Sequence, residues 1–125
     1  GTNTSEACMF HESNNTIYGL TRNPYDLGRT VGGSSGGCAA AVASNICPVA
    51  ITSDVGGSTR IPSLYCGLYG HKATGGSVPN TRNFPHIPSN SLISRYCQIG
   101  PTVREPEDLL PFMSILYVVV VVLSL

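Results

Sequence analysis

Charge is scarce in this chain. Of 125 residues, seven are basic and seven acidic, 11% in all, and the formal net charge is zero. Soluble domains typically carry about 25%. A neutral chain this poor in charge lacks the basic footprint of a nucleic-acid binder, so no nucleic-acid partner is expected. It also has little polar material to cover a surface, and it reads as the interior of something larger. Tryptophan is absent, lysine occurs once, at Lys72, and no charge follows Asp108. The chain opens at Gly1 and its first methionine is Met9, so the start is expected to be processed or missing.

Several chemical signatures are missing too. No two cysteines stand in a C-x-x-C pair, which removes the usual zinc or redox spacing. No metal and no cofactor are expected. The five cysteines, Cys8, Cys38, Cys47, Cys66 and Cys97, are odd in number and irregular in spacing. They read as small buried thiols in a reducing, intracellular compartment. Sequons at Asn3 and Asn14 point weakly the other way, and no secretory signal is visible. A phosphate-binding G-x-x-x-x-G-K-[ST] is excluded because no lysine follows Gly37, and no two glycines are separated by one residue, so G-x-G-x-x-G is absent. Ser58 does not stand in a G-x-S-x-G, since Thr59 and Arg60 follow it. A Ser-His-Asp triad stays open, since its partners meet in space. None of His11, His71 and His86 sits with a carboxylate in a triad-like motif, and they read as structural.

What is present is punctuated by turns. Residues 1–31 read mostly as loop, with a short helix near Ser5–Phe10 and turns at Asn14-Asn15 and Asn23-Pro24. Gly32-Gly-Ser-Ser-Gly-Gly37 feeds a run of good helix formers, Cys38–Ser44, which Pro48 is expected to stop. Val49–Thr52 reads as a short strand, Asp54–Ser58 as a tight loop, and Thr59–Gly67 as a helix with Pro62 in its first turn. A strand is expected around Leu68–Ala73, a long loop over residues 79–96, and a capping box at Thr102–Glu105 that opens a last helix. The uncharged tail, Leu109–Leu125, holds five consecutive valines. At seventeen residues it is short for a membrane span, which wants about 20, and it reads first as a buried helix, with a membrane segment as the alternative.

The two glycine–serine loops carry the chemical signal. A flexible linker is the bland reading of Gly32–Gly37, but linkers rarely open straight into a helix. A serine hydrolase needs a serine at a sharp turn, amide N–H groups for the oxyanion, and a base. Asp54-Val-Gly-Gly-Ser58 can supply the first two, because glycines admit left-handed angles and let successive N–H groups converge. The helix after Ser58 would add its positive end. From the loop alone, a structural serine in a turn remains the competing reading.

The order of motifs resembles the amidase-signature family. The matching stretches are Thr2-Asn-Thr-Ser-Glu-Ala7, Gly32–Gly37, Gly56-Gly-Ser-Thr-Arg-Ile-Pro62, Gly70-His-Lys72, and Gly100-Pro-Thr-Val-Arg104 with Glu107-Asp-Leu109. Within the family, Glu6–Met9 and Asn14-Asn15 leading to Asn23–Asp26 look most like fatty-acid amide hydrolases of the second type. The resemblance implies an α/β fold, a twisted mixed sheet covered by helices, of which residues 1–112 are a part and 113–125 a hydrophobic tail of other origin. It implies a Ser–cis-Ser–Lys triad, with Ser58 the nucleophile and Ser34, after a cis peptide bond, the bridge. Val55, Gly56, Gly57 and Ser58 would form the oxyanion hole, with Ser35, Asp54 and Arg60 in support, and Arg60 paired with Asp54. The family's lysine is expected upstream of Thr2, and Lys72 is not its equivalent, so these residues alone are expected to be inactive or nearly so. The substrate implied is a small carboxylic amide, a lipid amide in the closest subgroup. A non-catalytic binding relic and a small membrane-associated protein are the alternatives. Three departures stand out: Thr59 where the family has an aliphatic residue, Thr52 where glycine is common, and Cys38 where an acidic residue is usual.

Overall fold

The computed structural model describes residues 1–80, 83, 86–88 and 90–123, the last six of these by backbone alone. Its elements in chain order are strands β1 (Asn14–Asn15), β2 (Gly19–Leu20), β3 (Arg22–Asn23) and β4 (Asp26–Thr30), helix α1 (Gly36–Ala43), strand β5 (Val49–Asp54), helix α2 (Arg60–Tyr65), strand β6 (Tyr69–Gly70), helix α3 (Leu92–Tyr96), strand β7 (Gln98–Val103) and helix α4 (Leu109–Leu123). The α/β class holds. Every strand pairing among the described residues is antiparallel: β1 with β2, β3 with β4, and a three-stranded sheet ordered β5-β7-β6.

That last sheet is the frame of the site. β5 and β7 pair over six residues, from Val49 with Val103 to Asp54 with Gln98. Along β5 the faces alternate, so Thr52 and Asp54 turn inward while Ile51 and Ser53 stay exposed. α1 packs on β5 and β7, α2 on β6, and α4 on β7. The main apolar core joins Val31, Ala39, Val42, Ala43, Cys66 and Leu68; a second joins Ala73, Val78 and Met113.

Several sequence expectations shift. The helix near Ser5–Phe10 is only a 3-10 turn, Glu6–Cys8, because Ala7 and Cys8 hold positive φ of 49° and 55°. α1 starts two residues earlier than Cys38, inside the glycine run. It ends at Ala43 rather than at Pro48: Asn45 takes φ 59°, its N–H donates to the Val42 carbonyl, and that of Ile46 to the Ala41 carbonyl. This is the Schellman arrangement, with asparagine in the left-handed position. The helix after Ser58 spans six residues, shorter than Thr59–Gly67, and the strand expected over Leu68–Ala73 shrinks to Tyr69–Gly70. Within the loop expected at residues 79–96, Leu92–Tyr96 form α3; residues 81, 82, 84, 85 and 89 lie outside the described residues.

β7 is the largest miss. Thr102 and Val103 belong to it, so the capping box opens no helix; the chain passes through a 3-10 turn at Pro106–Asp108 before α4. The Gly100-Pro101 pair reads as a strand breaker, yet both sit in the central strand. Gly100 is needed there because a Cβ would come within 1.8 Å of the His71 carbonyl oxygen. α4 runs through residue 112. Met113 is buried and Leu116 partly so, while Leu110 and Ile115 are exposed, so over residues 109–117 α4 buries one stripe. Among the described residues no helix is long and apolar enough to cross a membrane.

Candidate active site

The first loop is built by close approach. A Cβ on Gly36 would lie 2.2 Å from Ser13 Oγ and 2.6 Å from Val31 Cγ1, and one on Gly37 would lie 2.4 Å from the Asn3 carbonyl oxygen. Only glycine lets the N-terminal segment press so near. The Gly36 N–H donates to the buried Ser13 Oγ at 2.9 Å, and the Gly37 N–H to the Asn3 carbonyl at 3.0 Å. The Ser13 hydroxyl faces the carbonyls of Gly32, at 2.9 Å, and Ser34, at 3.2 Å. Ser34 and Ser35 are both buried, and the Gly33–Ser34 peptide bond is cis.

The second loop is organised by Asp54, which has no exposure to solvent. Its Oδ1 accepts from the Gly57 N–H at 2.8 Å and from Arg60 Nη2 at 3.0 Å. Its Oδ2 accepts from the N–H of Thr59 at 3.1 Å, the N–H of Arg60 at 3.3 Å, and Arg60 Nε at 2.9 Å. Lys72 Nζ stands 3.4 Å from Oδ1 and donates to the Val55 carbonyl at 2.6 Å. Burial would push the Asp54 carboxyl up, but the Arg60 guanidinium and the N–H groups of Gly57, Arg60 and Thr59 together outweigh it and hold the group well below the usual carboxylate range. The same pairing raises the Arg60 value, the Asp54 hydrogen bond outweighing desolvation. The carboxylate thus turns an otherwise pliant glycine loop into a fixed one.

The two loops meet. The Ser35 N–H donates to the Ser58 carbonyl at 3.3 Å, across 23 residues of sequence. Ser58 is half-buried at the junction, and Val55 and Gly56 are exposed beside it. Gly57 has φ 129°, a conformation closed to other residues, and its N–H is turned toward Asp54. Sequence reasoning paired Asp54 with Arg60 but did not foresee Lys72 on the same carboxylate. It also missed the roles of Ser13, which carried no signal beyond its place in the polar stretch before the glycine run, and of Asn3, which lay in the matching Thr2–Ala7 stretch. His11, His71 and His86 stand outside these contacts. Buried Cys66 has its thiol pushed up to about 11 by desolvation, and burial raises Cys97 as well. Among the described residues no group of three or more His, Cys, Asp or Glu could hold a metal ion.

Comparison with known proteins places this arrangement. A family model described as Amidase matches residues 1–118. Fatty-acid amide hydrolase 2-B of Danio rerio is 46% identical over 115 residues, 92% of this chain and 22% of that protein. A bacterial aryl acylamidase of the amidase signature enzymes superposes with a TM-score of 0.72 at 40% identity, over 86% of this chain and 21% of that one. A 6-aminohexanoate cyclic dimer hydrolase in complex with substrate superposes with a TM-score of 0.80 at 33% identity, over 91% and 23%. The chain therefore spans about a fifth of the length of the relatives it matches. With its two serine loops joined by the Ser35–Ser58 hydrogen bond and a family model fitting nearly its whole length, this chain belongs to the amidase signature family.

Proposed function

We propose that this chain carries the nucleophile-bearing part of an amide hydrolase. Ser58 is the nucleophile and Ser34 passes its proton. The observation that carries this reading is the Ser35-to-Ser58 hydrogen bond of 3.3 Å, which seats the two serine loops side by side. Gly57 gives its N–H to Asp54, so the N–H groups of Val55, Gly56 and Ser58 remain as the donors for an oxyanion. Ser35, Asp54 and Arg60 hold the loops in place.

The base comes from outside these contacts. Lys72 is tied to Asp54 and the Val55 carbonyl, which makes it a brace of the loop. In our reading a lysine elsewhere in the protein takes the Ser58 proton through Ser34. Ser58 Oγ then attacks the amide carbon and the carbon–nitrogen bond breaks. The proton returns through Ser34 to the leaving amine. Water cleaves the resulting ester, releasing the acid and restoring Ser58. No metal or cofactor enters this scheme. The substrate is a small amide, and the similarity to a fatty-acid amide hydrolase makes a long-chain fatty amide the first to try. We place residues 1–112 in the amidase unit and the protein inside the cell.

The test uses the full-length gene product with a long-chain primary fatty amide and a short aryl amide. We expect hydrolysis, reduced at least about 10³-fold by Ser58→Ala and comparably by Ser34→Ala. Turnover that survives Ser58→Ala would overturn the assignment. Binding of the fatty amide without turnover would favour the non-catalytic relic.

A further inference from the structure

The residue directly after Ser58 is held by a buried chain of hydroxyls that the mechanism above does not use. Thr52, Thr59, Ser63 and Thr102 are all buried. Thr52 Oγ1 lies 3.0 Å from the Gly100 carbonyl, to which it must donate, and 2.8 Å from Thr59 Oγ1. Since the Thr52 proton is spent on Gly100, the Thr59 hydroxyl donates to Thr52. Ser63 Oγ donates to the Thr59 carbonyl at 2.7 Å and stands 3.3 Å from Thr102 Oγ1, which lies 3.4 Å from Thr52. Residue 59 is thus gripped three ways: its N–H by Asp54, its carbonyl by Ser63, its side chain by Thr52.

Thr52 and Asp54 share the inward face of β5. Asp54 fixes the loop backbone from Gly57 to Arg60, and Thr52 fixes the side chain that follows the nucleophile. Thr52 and Thr59 are also two of the positions where this chain departs from the family pattern, and they touch each other. Thr52 keeps the Gly100 carbonyl whatever stands at position 59, whereas the buried Thr59 hydroxyl relies on Thr52 as its acceptor.

We propose that Thr52 and Thr59 form a positioning pair that sets the orientation of Ser58 through the Ser58–Thr59 peptide. The proposal rests on Ser58 being the nucleophile. It predicts an asymmetry. Thr52→Val strands the Thr59 donor in a dry site, whereas Thr59→Val removes only a donor from an already anchored Thr52.

The experiment measures kcat, KM and Tm on the full-length gene product. Thr52→Val should lower kcat about ten-fold with KM within about two-fold, and Thr59→Val about three-fold. The double variant should lose no more kcat than Thr52→Val alone, and its Tm loss should be less than the sum of the single losses. Thr59→Ser, which keeps the hydroxyl, should stay within about two-fold of the parent. Met113→Ala, in the α4 core, serves as a control that lowers Tm. If Thr52→Val and Thr59→Val lower Tm but leave kcat where Met113→Ala leaves it, the pair is merely structural and the proposal fails. Additive losses would also overturn it. If Ser58→Ala retains turnover, the nucleophile assignment falls, and the positioning role with it, whatever the Tm values show.

Discussion

A carboxylate withdrawn from water must have its charge answered locally. Asp54 meets that demand with backbone N–H groups from three residues, the Arg60 fork and the Lys72 ammonium. An amide in its place keeps one accepting oxygen, turns the other into an NH2 that faces those donors, and leaves Arg60 and Lys72 without a countercharge. We expect Asp54→Asn to cost about 3 kcal/mol near pH 7, the low end for a broken buried pair because Arg60 stays half in water. The pH dependence follows from the direction of its shift. The folded carboxyl lies below its ordinary value, so its contribution is complete above about pH 4 and is lost as pH falls below that. The gap between the parent and the variant in urea unfolding should therefore narrow progressively as the pH falls from 4 to 2. A gap that stays constant across that range would show that Asp54 acts through shape alone.

α1 is set by its ends more than by its middle. Its start is fixed by Ser13 and Asn3 against Gly36 and Gly37, and its finish by Asn45 and by Arg104, which donates to the Val42 carbonyl. Asn45 holds φ 59°. Asn45→Val should destabilise by about 1–2 kcal/mol, since a β-branched residue resists the left-handed region, while Asn45→Gly should match the parent or exceed it. Equal stability of the two variants in urea would remove the Schellman cap from the account. These ends also show what could be read from the residues. The alanine run announced α1, and the two glycine–serine loops announced the site, because local composition dictates both. Asn45 as a helix stop was readable in principle, but Pro48 offered a louder signal. β7 was not readable: Gly100 and Pro101 break a strand by every local rule, and the approach of the His71 carbonyl, which explains Gly100, lies far off in sequence. The Lys72 brace and the Ser13 tie join positions far apart in sequence, so no spacing rule reaches them.

The molecule as a whole leaves much apolar surface in water. Ile51, Val55, Leu64, Tyr65 and Tyr69 are at least half exposed or nearly so, around the sheet and α2, and among the described residues β5 has a free edge. Such a surface invites pairing with another chain. Expressed alone, these 125 residues should self-associate at micromolar concentration in sedimentation velocity, and Leu64→Lys should reduce that association. A monodisperse monomer would mean that the exposed faces are better tolerated than their area suggests.

The ties of the first loop have a further consequence, for the order in which the protein acquires structure. Ser13 meets Gly36 from 23 positions away, Ser34 from 21, and Thr52 meets Gly100 from 48. No short segment can assemble the site ahead of the rest, because each anchor waits on a distant stretch of chain. The loop therefore belongs to the same cooperative unit as the core and has no independent opening of its own. In native-state hydrogen exchange on the full-length gene product, the amides of Gly36, Gly37 and Thr59 should exchange with the same denaturant dependence as Val42 in the middle of α1. Exchange of the loop amides by a cheaper, denaturant-insensitive route would show instead that the two serines are brought together by a motion the core does not share.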